Sequence, residues 1–354
     1  MKTKVVIGAS YGDEGKGLVS GCLAREAAQK GEKVLTVFYN GTLQRAHTFE
    51  GVIHRGTAAG TSYGSDTFYD AMFVVDPIAI ALIGITPIIH PNCRVILPCD
   101  VLKNRKIESD RGTARHGSCG CGLFEAVKRF KSGTCAVTVG DFTNPYELYQ
   151  KVKMTMPAVN DDLYNMDNFM RAIAFITSKC TIARLEEVAP KYDEVIFEGG
   201  QGLMLDQSNM DFFPHLTPSS VGLTNITDSL KAINATPELY YVSRSYMTRH
   251  GAGRMEDECA KESINPNIVD TTNVENPWQG ALRFGRINME TLYDRIQKDA
   301  AQYQAQKKIN LVFTQLNYTD GKLETTNGRI DIVKPEFANS IFVSDQKDYM
   351  EKLV

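Results

Sequence analysis

Short apolar runs alternate with polar, glycine-rich loops along this chain. Residues 5–7, 34–38, 195–197, 239–242, 309–313 and 341–343 are mostly apolar and too short for helices. Runs of this length bounded by turn residues predict strands buried on both faces. A helical repeat follows the first run, with Leu18, Val19, Cys22, Leu23 and Ala27 on one side and Gly31 at its end. Strand, loop, helix and strand within 40 residues imply a parallel sheet. Further helical patterns cover 123–130, most of 144–190 and 288–305.

Polar loops follow the apolar runs. Residues 40–51 read as a loop carrying His47, 198–202 as the turn E-G-G-Q-G, and 212–222 as a loop with Pro214 and Pro218. Residues 243–254 and 256–280 also read as polar loops, and the tail after 343 is polar. Residues 52–100 alternate short apolar runs (73–75, 78–83, 95–97) with turns. Residues 105–122 are rich in Gly, Ser and cations, which fits a mobile surface loop or an anion-binding loop. The expected fold class is α/β, with a P-loop-like, mostly parallel central sheet flanked by helices. In such a sheet the loops gather at the carboxyl ends of the strands, where ligands bind.

Bulk properties narrow the partners. The chain has 354 residues, enough for one large domain or two. Hydrophobic residues make up 43% and charged residues 23%, ordinary for a globular protein. A net charge of -3 gives no basic field, so nucleic acid is not an expected partner. Nor is a membrane, since no run of about 20 apolar residues occurs. The N-terminus enters a glycine loop at once and does not read as a signal peptide. The eight cysteines are scattered apart from Cys119 and Cys121. Reduced cysteines in a cytoplasmic protein are expected, and one C-x-C is weak support for a metal.

The densest chemistry lies in residues 4–20, KVVIGASYGDEGKGLVS. A strand, a glycine-rich turn and a helix start make an anion site, because free backbone N–H groups and the helix dipole face the ligand. The common phosphate loop ends in Lys followed by Ser or Thr, whose hydroxyl holds magnesium. Here Gly17 follows Lys16, so another oxygen must serve, and Asp13 is the candidate. The plainer reading is a glycine turn with a capping acid. His47 could stabilise charge on a transferring phosphoryl group or its acceptor, or be an ordinary loop histidine. Gln201 could bind an acceptor oxygen, or be an exposed turn residue.

Five segments in order resemble the adenylosuccinate synthetase family: G-D-E-G-K-G at 12–17, A-H-T at 46–48, F-E-G-G-Q-G at 197–202, P-H-L-T-P-S-S at 214–220 and T-R-H-G-A-G at 248–253. The resemblance covers nearly the whole chain. It implies one large domain over 1–354, with inserted helical and loop subregions at about 101–190 and 255–280. It also implies a two-step ligation. Asp13 takes the N1 proton of a 6-oxopurine, O6 attacks the γ-phosphate of a nucleoside triphosphate, and L-aspartate displaces the phosphate. His47 and Gln201 stabilise charge on O6. Gly15, Lys16, Gly17 and Thr48 hold the triphosphate. Mg2+ is the implied cofactor, with Asp13 and the carbonyl of Ala46 as ligands. A homodimer is implied, with a cation from the partner reaching the acceptor phosphate.

Departures from the family pattern bear on the substrates. The family's T-K-L-D is T-Q-L-N at 314–317, so Gln315 and Asn317 stand where Lys and the guanine-reading Asp are expected. A carboxylate only accepts, whereas an amide also donates, so Asn317 can face N1 and the N6 amine of adenine. ATP or dATP is the expected donor; a variant still using GTP is the alternative. In the aspartate loop W-Q-G-A-L-R-F-G-R, residues 278–286, Gly280 and Arg283 remain, and Ala281 and Leu282 lie between them. The family Arg that reaches the ribose is Ala281, which fits a deoxyribose. Ser10 and Tyr11 replace Gln-Trp, the family's N-A-G-H-T is Q-R-A-H-T, and the Val of T-R-V-G is His250. Together these resemble the viral 2-aminoadenylosuccinate synthetase branch, which joins aspartate to dGMP. On that resemblance Ser10, Asp13, Gln44, Gln201 and Thr217 surround dGMP, and Gly117, Ser118 and Lys131 hold its phosphate. The alternatives are an ordinary synthetase using IMP and GTP, and a nucleotide-binding regulator without catalysis.

Overall fold

The computed structural model describes residues 1–43, 46–156, 161–270, 280–305, 307–345 and 348–354. Strand β1 (Lys2–Gly8) lies in the middle of a sheet of ten strands among the described residues. On one side of it run Pro237–Arg244, Lys308–Thr314, Ser340–Val343 and Glu351–Lys352. On the other run Glu194–Gly202, β2 (Val34–Phe38), Asp66–Tyr69, Ile88–Ile89 and Thr181–Ile182. All neighbours are parallel except the outermost pair, where Glu351–Lys352 opposes Ser340–Val343.

The strands read as unbroken apolar runs because both faces are covered. Val6, Ile196, Tyr240, Val242 and Val312 point to one face, where helix α1 (Lys16–Gln29) packs Leu18, Val19, Cys22 and Leu23. Val5, Ile7, Val195, Phe197, Leu239 and Phe313 point to the other, against Leu230, Leu292 and Ile296. A third cluster, including Phe73, Val101, Ala126, Phe169 and Ile173, is the core of the region between residues 73 and 180.

Several sequence expectations need correction. The 40–51 segment is not all loop: β3 (Ala46–Phe49) and β4 (Val52–Arg55) form a hairpin with His47 opposite His54. The apolar run at 78–83 belongs to the helix Pro77–Ile83, started by Asp76 accepting from the Ala79 N–H (3.1 Å) and by Pro77 in the first turn. Residues 105–110 continue the helix Pro98–Asp110. The 256–280 loop contains the short strand Glu258–Cys259 and the helix Lys261–Ile264, and the polar tail supplies the tenth strand. The run at 195–197 extends to Gly202. Its pairing with β1 shifts after Glu198, so that Gly199, Gly200 and Gln201 oppose Ile7 alone. A bulge of this kind re-aims side chains at a strand end. Gln201 sits in it rather than in a free turn.

Candidate active site

Five adjacent strands end at one edge of the sheet. Each hands over to a connecting segment: β1 to 9–15, β2 to 39–43, Glu194–Gly202 to 203–206, Pro237–Arg244 to the start of 245–254, and Lys308–Thr314 to 315–317. The parallel topology therefore gathers segments that lie 300 residues apart in the chain.

The loop after β1 is held by an acid that the sequence reading passed over. Glu14 is 1% exposed. Its Oε1 accepts from the Ser10 N–H (3.1 Å) and the Gly12 N–H (2.8 Å), and its Oε2 pairs with the Lys16 ammonium. A Cβ at Gly202 would come within 2.4 Å of Glu14 Oε1, so the glycine lets the next strand close over the carboxylate. Lys16, expected on phosphate, is 4% exposed and bound to Glu14. It must leave that carboxylate to reach a triphosphate.

Asp13 is exposed while Gly12, Glu14 and Lys16 around it are buried. Its φ of 56° lies in the left-handed region, uncommon for a residue with a side chain. Arg244 holds it there by donating from Nε to the Asp13 carbonyl (2.6 Å), itself anchored on Asp270 (3.0 Å). His250 Nε2 lies 3.4 Å from Asp13 Oδ2. The expected base thus faces outward at the helix start, with an imidazole beside it.

Helix α1 carries Gly17 and Gly21 one turn apart on the same face. His47 and Phe49, two apart on β3, lie on these glycines. A Cβ at Gly17 would be 2.3 Å from His47 Cγ, and one at Gly21 would be 2.9 Å from the Phe49 ring. The missing hydroxyl after Lys16 now has a physical reason, since the imidazole occupies that space. Glu50 closes the contact from the hairpin turn, pairing with Arg25 (2.7 Å) and accepting from Tyr63. His47 Nε2 is 2.8 Å from Glu198 Oε1, and Glu198 is 0% exposed. Gln201 lies against Gly41, where a Cβ would be 3.1 Å from its Nε2.

Three more loops meet on Arg249, a fully buried arginine. Its guanidinium lies over the Tyr11 ring (4.9 Å) and donates to the carbonyls of His215 (3.0 Å) and Arg254. Burial pulls its pKa below the usual value, while burial pushes the Tyr11 phenol up. His215 stacks edge-on with His116 (5.0 Å), and a Cβ at Gly117 would be 2.5 Å from the Gly251 backbone. Ser118 donates to Asn104 Oδ1 (2.9 Å). Lys131 bonds Gln207 Oε1 and the Pro218 carbonyl, both at 3.3 Å, so it does lie beside Thr217.

Other expectations fare differently. Ser10 is 3% exposed and its hydroxyl lies 3.3 Å from that of Ser243, so it does not present an open oxygen. Arg283 is engaged. It forms a two-pronged pair with Glu258 and donates to the carbonyls of Gly251 (3.0 Å) and Gly253 (2.8 Å). That pair holds the Glu258 carboxyl below its ordinary pKa and Arg283 above its own. Ala281 is exposed, and Gly280 and Leu282 are partly so. Gln44, Trp278 and Gln279 lie outside the described residues. Thr314 donates to the Glu14 carbonyl (2.7 Å), which seats the 314–317 segment on the glycine loop with Asn317 exposed. Cys119 and Cys121 have sulfurs 2.8 Å apart, and no group of three or more His, Cys, Asp or Glu among the described residues could hold a metal. Sequence reasoning missed Glu14, Glu198 and Arg244. Two of them sit inside segments already singled out, where an acid beside Asp13 or Gly199 was the available signal.

An adenylosuccinate synthetase family model matches residues 83–276, more than half of the chain. The adenylosuccinate synthetase of Neisseria meningitidis serogroup C (strain 053442) is 26% identical over 300 residues, covering 74% of this chain and 66% of that protein. That of Lawsonia intracellularis is 25% identical over 288 residues, covering 73% and 66%. The chain thus spans slightly under two thirds of the length of these relatives. Among solved structures, fully ligated adenylosuccinate synthetase from Plasmodium falciparum superposes with a TM-score of 0.73 at 14% identity, covering 99% of this chain and 87% of that one. Cyanophage S-2L succinoaminodeoxyadenylate synthetase, bound to dGMP and to dATP as an energy donor, gives 0.59 at 16% identity, covering 90% and 85%. Both likenesses are likenesses of fold.

Proposed function

The chain belongs to the adenylosuccinate synthetase family, and from that premise we propose that it is a carbon–nitrogen ligase joining L-aspartate to C6 of dGMP, with ATP or dATP as phosphate donor. The observation that carries the donor choice is the 314–317 segment. Thr314 fixes it to the glycine loop, and it offers the amides of Gln315 and Asn317 in place of a cation and a carboxylate. Ala281 in place of a ribose-reaching arginine supports a deoxyribose acceptor. Ser10 supports it less, since its hydroxyl must first leave Ser243.

The chemistry follows from the geometry. The C6 oxygen of the purine is a poor leaving group until phosphorylated. Asp13, outward-facing and pinned by Arg244, takes the N1 proton and raises the electron density on O6. The amides at the start of α1, with Lys16 released from Glu14, hold the phosphates. His47 over the first turn and Gln201 in the bulge stabilise charge on the transferred group and on O6. Aspartate nitrogen then displaces phosphate from C6. Mg2+ accepts one or two carboxylates and completes its shell with phosphate and water oxygens, and the exposed Asp13 carboxylate at the glycine loop suits it. Asp13 and the Ala46 carbonyl would hold it, and it would draw charge from the phosphates. Arg283 would bind the aspartate carboxylate on release from Glu258, and a homodimer is proposed as in the family. Among the described residues no helix is long and apolar enough to cross a membrane.

The test is phosphate release across paired acceptors and donors. With aspartate present, dGMP with ATP or dATP should turn over, and IMP with GTP should not. Faster turnover of IMP with GTP would replace this reading with the ordinary synthetase. No release from any pair would leave a nucleotide-binding regulator.

A further inference from the structure

Glu198 is a carboxylate at 0% exposure, on the strand between β1 and β2, in register with Val6 on one side and Phe38 on the other. Burying a charge in this way is unfavourable unless it is compensated by neighbouring groups. Oε1 lies 2.8 Å from His47 Nε2, within ion-pair reach although the ring N–H makes no aligned hydrogen bond, and Oε2 accepts from the Ser20 hydroxyl on the second turn of α1. His54, across the hairpin from His47, is 4% exposed and turns its Nδ1 to Thr61 Oγ1 (3.0 Å).

We propose that Glu198 is the positioning residue for His47, standing 2.8 Å from Nε2 so that Nδ1 faces the first turn of α1. A carboxylate only accepts, so its closeness favours the proton on Nε2, and a small turn of the ring aligns the hydrogen bond. The other nitrogen is then the one left for a ligand. It sits where a Gly17 Cβ would be 2.5 Å away, at the helix start where the phosphates are expected. Ser20 ties the carboxylate to the same helix, so hairpin, sheet and helix share one anchor. A partner behind a working histidine fixes its ring and tautomer, as in metal sites and hydrolytic triads. The role in turnover rests on the ligase reading; the contact itself does not.

Two measurements separate them. Long-range proton–nitrogen NMR of the histidine rings, with His47→Asn for assignment, should show His47 protonated at Nε2. In Glu198→Ala that fixed signature should be lost. In kinetics, Glu198→Ala should lower kcat by about 10- to 100-fold with KM values little changed, and Glu198→Gln, which keeps an acceptor oxygen, should recover part of it. In a His47→Ala background, Glu198→Ala should cost no further activity, because it acts through the missing ring. A Nδ1-protonated ring, or an equal loss in the His47→Ala background, would overturn the proposal. If Glu198→Ala does not fold, Glu198→Gln and Ser20→Ala carry the same comparisons. Should no substrate pair release phosphate, the ligase reading fails while the NMR result still decides the contact.

Discussion

Replacing Gly17 by serine would restore the hydroxyl of the common phosphate loop, and we expect it to cripple the enzyme rather than improve it. The reason is the imidazole on the helix. A Cβ at position 17 would be 2.3 Å from His47 Cγ and 2.5 Å from Nδ1, where ordinary contacts lie at 3.4–4 Å. The ring must retreat by about 1 Å, and a displacement of that size can cost about 100-fold in rate. Gly17 has ordinary helical backbone, so alanine there gains about 0.5–1 kcal/mol of helix stability, offset by the disturbed contact with Glu198. Activity should therefore collapse without a matching loss of fold. Steady-state phosphate release and thermal unfolding on Gly17→Ala and Gly17→Ser decide it. Variants that keep kcat within about threefold of the wild chain would refute the packing argument.

Three further outcomes follow from the same structure. Glu14→Ala leaves the buried Lys16 ammonium without its partner and should lower stability by about 3–5 kcal/mol, read by chemical denaturation, with Glu14→Gln milder. Burial pushes the Asp299 carboxyl up to about 6 from an ordinary 3.8, against hydrogen bonds from Tyr241 and the Leu223 N–H that favour ionisation. Between about pH 4 and 6 the unfolded chain has released this proton and the folded chain has not. The wild chain should therefore lose about 2–3 kcal/mol relative to Asp299→Asn across that interval and no more above it, by denaturation at fixed pH values. Asn317→Asp should shift donor preference from ATP toward GTP by at least tenfold in kcat/KM, measured by competing the two triphosphates.

The sheet was legible because its strands are buried on both faces and so appear as unbroken apolar runs. The glycine loop was legible because chemistry of that density has few structural uses. The hairpin at 46–55 was not, since its anchor is Phe49 against Gly21, a contact between residues 28 apart that no local pattern records. The helix at 77–83 hid in an apolar run that periodicity cannot tell from a strand, although Asp76 and Pro77 mark its start. Glu198 and Arg244 work through partners brought by the fold, whereas Glu14 works through residues within four positions of it, in a loop whose turn brings them onto one carboxylate. The sequence reading puts Glu198 in the turn after its third strand and His47 in its second loop, and only parallel pairing makes them neighbours. Likewise the ion pair that occupies Arg283 joins residues 25 apart and could not be read from spacing.

The central claim is that the purine C6 oxygen leaves as phosphate. It is tested by supplying dGMP labelled with oxygen-18 at C6, together with ATP and aspartate, and analysing the released inorganic phosphate by mass spectrometry. The account predicts one labelled oxygen in each phosphate, the label appearing only when aspartate is present. Unlabelled phosphate, with the succinylated product still formed, would contradict it.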